Sequence, residues 1–330
     1  VKSLKAGSGT CRVVVMGATA ETAPPGVDIV ADVADLVFAD SVEELAAALP
    51  GADVLFAWRP RSRLLEPAWE HAGALRWIQS ASAGVEDLLF PGLVESYVVL
   101  TNARGVFDES IAEYVVGLLL LFAKGFPAVV DRQRRREWRP HDTERLAGRR
   151  LLVVGVGSIG RAVGRGCSRL GMTVRGVGTT ARFGDEVFGT VLGADELADA
   201  CAWADVVVNV VPSTSATHHL FDEEVFAAMR PSTRFVNVGR GGTVDQDALT
   251  RALVDGRLAG AGLDVFEEEP LPPDSPLWDL PNVIVSPHMA AGSAGWREAV
   301  VELFVENLER YLTGRPLENV VDKERGYVPG

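Results

Sequence analysis

Cysteine is scarce. Only Cys11, Cys167 and Cys201 occur in 330 residues, scattered and without C-x-x-C spacing. So sparse and odd a set argues against a disulfide scaffold or a zinc site and fits a reducing, cytoplasmic setting. Long apolar runs are also missing. The strongest, Val115 to Ala123, falls well short of the roughly 20 residues a membrane span needs, so no membrane partner is expected. The opening VKSLKAGSGT lacks the apolar centre of a signal peptide and reads as a flexible lead-in. Positive charge is in deficit: 32 Lys and Arg stand against 45 Asp and Glu, a formal net charge of −13. That balance disfavours nucleic acid and anionic surfaces. The one basic run, Arg132 to Arg139, reads as a solvated or subunit-facing helix.

What the chain has in plenty is ordinary globular material, 47% hydrophobic and 23% charged, enough for two cores. Short β-branched runs alternate with helical patterns, the mark of parallel sheets covered by helices. In the first hundred residues, strands are expected at 12–16, 36–38, 54–57, 77–79 and 98–100, with helices at 42–49 and 67–72. The stretch 110–124, IAEYVVGLLLLFAK at its centre, is nearly apolar all round and predicts a helix buried on every side. A second series follows, with strands at 151–154, 173–177, 206–210, 235–238, 262–265 and 283–285. Its helices fall at 159–170, 194–202, 223–229 and 246–255, and a last helix at about 294–311.

Gly155, Gly157 and Gly160 form a G-x-G-x-x-G between an apolar strand and a helix. The pattern alone is weak in a chain with 34 glycines, but the strand–turn–helix context is the one a dinucleotide loop needs. Gly155 allows the tight turn, Gly157 the approach of a pyrophosphate, and Gly160 close helix–strand packing. Ser158 and Ile159 open the helix, whose free N–H groups and dipole favour phosphate. NAD use calls for an acid at the tip of the next strand, to bond the ribose 2′-hydroxyl. After Val177 come Gly178, Thr179, Thr180, Ala181 and Arg182. Small hydroxyls and an arginine suit a 2′-phosphate, so NADP is favoured over NAD. Read otherwise, Arg182 is a surface charge.

Three later strands run into chemically capable residues: Arg240 after 235–238, Glu267 to Glu269 after 262–265, and His288 after 283–285. In open parallel sheets ligands lie outside these carboxyl ends. Imidazole titrates near neutrality and suits a group that gives or takes a proton. A neighbouring carboxylate, Glu269, would orient it and favour its protonated form; Glu267 and Glu268 read as solvated. A guanidinium at Arg240 would hold a substrate carboxylate with paired donors. As alternatives, His288 is a loop histidine and Arg240 closes a structural salt bridge.

Several segments together resemble the D-isomer-specific 2-hydroxyacid dehydrogenases: SAGVEDL (82–88), AEYVVGLLL (112–120), LAGRRLLVVGVGSIGR (146–161), ADVVVNVVPSTSATHHL (204–220), FVNVGRGGTVDQDAL (235–249), GAGLDVFEEEPLP (260–272) and NVIVSPHMAA (282–291). The resemblance implies an α/β architecture of two doubly wound parallel-sheet domains. A Rossmann cofactor domain (104–288) is inserted into a flavodoxin-like substrate domain (1–103 plus 289–330), and the cleft between them closes on substrate. It implies NAD(P)H-dependent reduction of a small 2-oxo acid, of the glyoxylate or hydroxypyruvate kind, to a D-2-hydroxy acid. By position it makes Arg240 the substrate arginine, Glu269 and His288 the acid/base pair, and Ala83, Gly84 and Val85 a backbone loop for the substrate carboxylate. Val210, Pro212, Thr217, Val238 and Ala290 fall along the cofactor, and Asp264 near the nicotinamide amide. A homodimer through the cofactor domain is implied, with Trp138 reaching the neighbouring subunit. Two departures stand out: the missing acid after 173–177, and Ala290 and Ala291 where glycines are common. Dinucleotide-sensing corepressors are the alternative within the resemblance, and formate dehydrogenases are disfavoured because they require glutamine where Glu269 stands.

Overall fold

The computed structural model describes residues 11–60 and 62–329; the lead-in expected for the first ten residues lies outside them. The described residues fall into two compact units, one running to Phe107 and resuming at Ala294, the other spanning Asp108–Ser293.

In the first unit five β-branched segments, β1 (Cys11–Met16), β2 (Ala34–Ala39), β3 (Val54–Ala57), β4 (Trp77–Ser80) and β5 (Val99–Thr101), make a parallel sheet in the order 2-1-3-4-5. That is the flavodoxin-like winding. Its central strands are buried on both faces, as in Val13, Val14, Leu55 and Ile78. The terminal helix Trp296–Leu312 joins this unit through a buried polar chain. Asn307 Nδ2 donates to Gln79 Oε1 at 3.1 Å, and Thr101 Oγ1 bonds the same oxygen at 2.8 Å. Phe304 stacks on Phe56 with centroids 4.2 Å apart. The helix expected at 67–72 is a single 3-10 turn, Trp69–His71.

The second unit holds β6 (Arg150–Val154), β7 (Thr173–Val177), β8 (Arg182–Asp185), β9 (Gly189–Leu192), β10 (Val206–Asn209), β11 (Arg234–Asn237), β12 (Gly260–Leu263) and β13 (Val283–Val285). Their order is 13-12-11-10-6-7-9-8, parallel except for the β8–β9 pair. The run 9-7-6-10-11-12 is the Rossmann winding, and its reversal point lies between β6 and β10. The β8–β9 hairpin was not foreseen. It is short and interrupted by Gly184 and Gly189, both at positive φ, so no alternation marks it.

The helix Asp108–Ala123 corrects the expectation of all-round burial. Ile111, Ala112, Val115, Leu118, Leu119 and Ala123 are buried, whereas Glu113 and Gly117 are exposed. Its inner face packs on the Ser158–Arg169 helix and on Gly262 of β12, where a side chain would meet Leu118. The chain then bends by 61° at Gly125 into a second helix, Phe126–Arg135, with no buried residue. The basic run is therefore helical only through Arg135; Arg136 takes a left-handed conformation that ends the helix. Among the described residues no single helix is long and apolar enough to cross a membrane.

The unit boundaries lie a few residues beyond 103 and 288, for local reasons. Arg104 donates to the Pro329 carbonyl and Phe107 packs on Trp296, which holds 104–107 to the first unit. Met289 and Ala290 donate their N–H groups to Asp264, which holds them to the second.

Candidate active site

The turn after β6 is built from glycines that the space demands. Gly155 sits at φ +104° and donates its N–H to Val177 O at the end of β7. A Cβ on Gly160 would lie 1.8 Å from Gly155 O, whereas one on Gly157 would meet nothing within 4 Å. Gly160 is thus fixed by packing, and Gly157 leaves an open approach to the helix that starts at Ser158. Gly157 caps that helix with no side-chain bond. A twelve-residue helix thereby presents N–H groups and its positive end beside a bare backbone, a cradle that fits a dinucleotide pyrophosphate. Ser158 turns its hydroxyl to Asp108 Oδ1 at 3.2 Å, and Ile159 is half-buried behind it.

Beside this turn, Val210 packs within about 3.0 Å of where a Gly155 Cβ would be. Thr217 closes the following loop on itself, its hydroxyl donating to Pro212 O at 2.6 Å and accepting from Thr214 N at 2.9 Å. Val238 is buried and donates its N–H to Asn209 O. A buried polar knot that sequence reading missed fixes the Arg240 backbone. Asn209 Nδ2 donates to Asn237 Oδ1 (3.0 Å) and Thr243 Oγ1 (2.7 Å), while Thr243 Oγ1 and Asn237 Nδ2 both donate to Arg240 O. Gly241 follows because a Cβ there would fall 1.8 Å from Phe266 O. Buried amides at strand ends are the signal that was available, since such groups must find partners.

Arg240, Glu269 and His288 come together. Glu269 Oε2 meets His288 Nδ1 at 2.8 Å, and Glu269 Oε1 accepts the Phe266 N–H at 3.0 Å. The bond to Glu269 raises the His288 pKa, opposed by burial and by the Arg240 charge. Burial pushes Glu269 up, but the bonds from His288 and Phe266 and the charges of His288 and Arg240 hold it below its ordinary value. Both shifts favour an imidazolium beside an ionised carboxylate. Arg240 steadies its own guanidinium on Gly239 O at 2.7 Å. Both glutamates read as solvated are exposed, and Glu267 in addition pairs with His219 Nε2 at 2.9 Å and accepts the Gln246 N–H.

Asp264, almost wholly buried, spends its carboxylate on the histidine loop. It accepts Ser286 Oγ at 2.6 Å, Met289 N at 2.9 Å and Ala290 N at 2.8 Å, while its carbonyl accepts His288 N. These bonds hold His288 at φ +51°, in the left-handed region that costs an ordinary residue energy. Ala290 is buried where glycine is common, its carbonyl taking the Ser110 hydroxyl.

In the first unit the segment after β4 is shaped by side chains. Asn102 Nδ2 donates to Ala83 O at 2.6 Å, Ala103 N to Ser82 O at 2.9 Å, and the Ser82 hydroxyl bonds Gly84 O. Among the described residues no backbone carbonyl takes the N–H groups of Ala83, Gly84 or Val85.

After β7, Thr179 and Thr180 are exposed in a turn. Arg182, its side chain 40% exposed, is a surface charge that is tied in place. Its Nε and Nη2 both donate to Asp185 Oδ2, at 3.0 and 2.9 Å.

A Rossmann-wound sheet with a glycine cradle, and an arginine, a carboxylate and an imidazole at neighbouring strand ends, define a nicotinamide-dependent oxidoreductase. Residues 116–290 match the family model described as the D-isomer specific 2-hydroxyacid dehydrogenase, NAD binding domain. The chain belongs to the D-isomer-specific 2-hydroxyacid dehydrogenase family. It is 34% identical to the D-3-phosphoglycerate dehydrogenase of Methanocaldococcus jannaschii over 288 residues, 85% of this chain but only 53% of that protein, so it spans about half that relative's length. It is also 34% identical to glyoxylate/hydroxypyruvate reductase B of Pectobacterium carotovorum, over 77% of this chain and 81% of that one. The NADPH-dependent glyoxylate/hydroxypyruvate reductase of Sinorhizobium meliloti, solved with NADP and sulfate, superposes with a TM-score of 0.82 at 28% identity, covering 96% of this chain and 100% of that one.

Proposed function

We propose that the protein reduces a small 2-oxo acid of the glyoxylate or hydroxypyruvate kind to the D-2-hydroxy acid, with NADPH as the favoured donor. The observation that carries this is the Glu269–His288 bond with Arg240 acting electrostatically on both partners. Gly155, Gly157, Ser158, Ile159 and Gly160 would hold the pyrophosphate, Thr179, Thr180 and Arg182 the adenosine end, and Val210, Pro212, Thr217, Val238 and Ala290 the remainder of the dinucleotide. Bound reduced nicotinamide supplies the hydride to C2. His288 gives its proton to the carbonyl oxygen through Nε2, because Nδ1 is engaged by Glu269. Glu269 stays ionised and offsets the imidazolium charge. Arg240 binds the substrate carboxylate and favours charge growing on the C2 oxygen. Asp264 fixes the loop that presents His288. The first unit serves as substrate domain, offering the N–H groups of Ala83, Gly84 and Val85 to the carboxylate, and Asp108–Ser293 as cofactor domain.

Turnover of NADPH and NADH with glyoxylate, hydroxypyruvate and branched or aromatic 2-oxo acids tests the reading. No turnover with any acid, alongside intact NADPH binding, would leave a dinucleotide-sensing protein instead. A pH profile adds a sharper check. Reduction needs the protonated imidazole, so the rate is full below the His288 pKa and falls as pH rises through its raised value. Glu269→Gln removes the principal cause of the rise, so that fall is expected at lower pH than in the wild type. An unmoved alkaline limb would separate Glu269 from the titrating group.

The same reading includes a cytoplasmic homodimer joined through the cofactor unit, without nucleic-acid or membrane partners. Support for the dimer comes from Phe126, Val129, Val130 and Trp138, 50%, 38%, 42% and 100% exposed in one chain. A cytoplasmic location suits three buried, unpaired cysteines, whose thiols burial pushes up to about 12. Light scattering of the purified chain reads the oligomeric state directly.

A further inference from the structure

An acid does follow the second strand of the cofactor unit, eight residues past its end rather than at its tip. Asp185 closes β8, and its side chain is 3% exposed. Six donors converge on it: Arg161 Nη1 and Nη2 (3.2 and 2.7 Å), Arg182 Nε and Nη2 (3.0 and 2.9 Å), Val187 N (3.0 Å) and Phe188 N (3.2 Å). A carboxylate offers about four lone-pair sites. It is therefore saturated and has no oxygen left for a ribose hydroxyl. That is a different state from the acid that confers NAD use, whose carboxylate must be open to the sugar.

The knot is seated against the phosphate cradle. Arg161 belongs to the first turn of the Ser158–Arg169 helix, directly after Gly160. The hairpin is locked onto that helix: Val187 and Phe188 crowd the place where a Gly164 side chain would be, and Phe188 is buried under the Arg161 guanidinium, 5.7 Å from its ring centre. At the other end, Gly155 bonds the last residue of β7. Two guanidinium charges share one carboxylate, so the cluster keeps a net positive charge. Arg182 is held by one edge of its planar fork, with Nη1 on the other edge; a fork fixed in advance loses less entropy when it takes a phosphate.

We propose that Asp185 is the positioning residue for 2′-phosphate recognition: it sets Arg182 in place and, being saturated, offers nothing to the unphosphorylated ribose of NAD. The proposal rests on the NADPH reading above and names the residue that makes the selection. A carboxylate here opposes the simplest electrostatic expectation, because by charge alone it should weaken phosphate binding. Its effect through orientation has the opposite sign, and that makes the two separable.

The test is calorimetric titration of the protein with 2′,5′-ADP and with 5′-AMP, without substrate. Wild-type protein that binds 2′,5′-ADP no more tightly than 5′-AMP would overturn the NADPH reading itself. Arg182→Ala should remove most of the preference for 2′,5′-ADP; a ratio that stays at the wild-type value takes Arg182, and with it the positioning role of Asp185, out of 2′-phosphate recognition. With that control in hand, Asp185→Asn should weaken 2′,5′-ADP about tenfold, the scale of one disordered charge-assisted contact, and leave 5′-AMP within about twofold. Equal or tighter binding of 2′,5′-ADP overturns the positioning role. Should Asp185→Asn not fold, Arg182→Lys carries the same question, since it keeps the charge and loses the fork. Wild-type binding of 2′,5′-ADP by that variant means charge alone suffices, and Asp185 is then not a positioning residue.

Discussion

Replacing His288 with alanine is expected to lower kcat for 2-oxo acid reduction by about 100- to 10,000-fold, the range general acid catalysis supplies. The size follows from how much structure is committed to this one ring. Its backbone is held at φ +51° by Asp264, its Nδ1 by Glu269, and its pKa is raised by that same bond. With the imidazole gone, the oxygen on C2 must take its proton from water while charge builds on it. Binding should suffer less than turnover, because Arg240 remains. The check is single-turnover kinetics with saturating NADPH and glyoxylate. A slow chemical step with nearly unchanged cofactor affinity is the expected pattern. Full reductase activity in the variant would remove His288 from the mechanism, and the acid/base pair with it.

What could be read in the sequence and what could not divide along physical lines. Most strands and helices were legible because burial on both faces leaves continuous apolar runs, as in 151–154 and 206–208, and because Gly160 and Gly241 occupy places where nothing larger fits. The meeting of Arg240, Glu269 and His288 was legible because β11, β12 and β13 are neighbouring parallel strands, so their carboxyl ends must share an edge. Hidden were contacts that join distant residues without periodicity. Asp185 meets Arg161 across 24 positions and Asp264 meets Met289 across 25. The β8–β9 hairpin escaped because two glycines and an exposed Phe183 erase its alternation. The helix at 108–123 was over-read, since composition reports apolar content and not which faces a neighbour covers. Also hidden was the partner of the exposed Glu267, His219, which lies 48 positions earlier on another loop.

Arg240→Ala is expected to lower kcat/KM by about 100- to 1,000-fold, the usual effect of deleting a donor aimed at developing charge. Part should appear as a higher KM, from the lost partner of the substrate carboxylate, and part as a lower kcat, because charge on the C2 oxygen grows toward the transition state. The pH dependence separates this cause from indirect damage to the acid. Arg240 lowers the pKa of His288, and of Glu269 as well. Removing its charge leaves the imidazole more readily protonated, so the alkaline fall in reduction should move to higher pH even as the rate collapses. An enzyme that is slow yet better protonated has lost charge stabilisation and substrate contact, not its proton. Arg240→Lys should recover only part of the rate, because an ammonium supplies the charge without the planar pair of donors. Its backbone should be undisturbed in both variants, since the Arg240 carbonyl is held by Thr243 and Asn237 whatever side chain it bears. A lysine variant with wild-type kcat/KM would show that charge is enough and that the fork geometry contributes nothing.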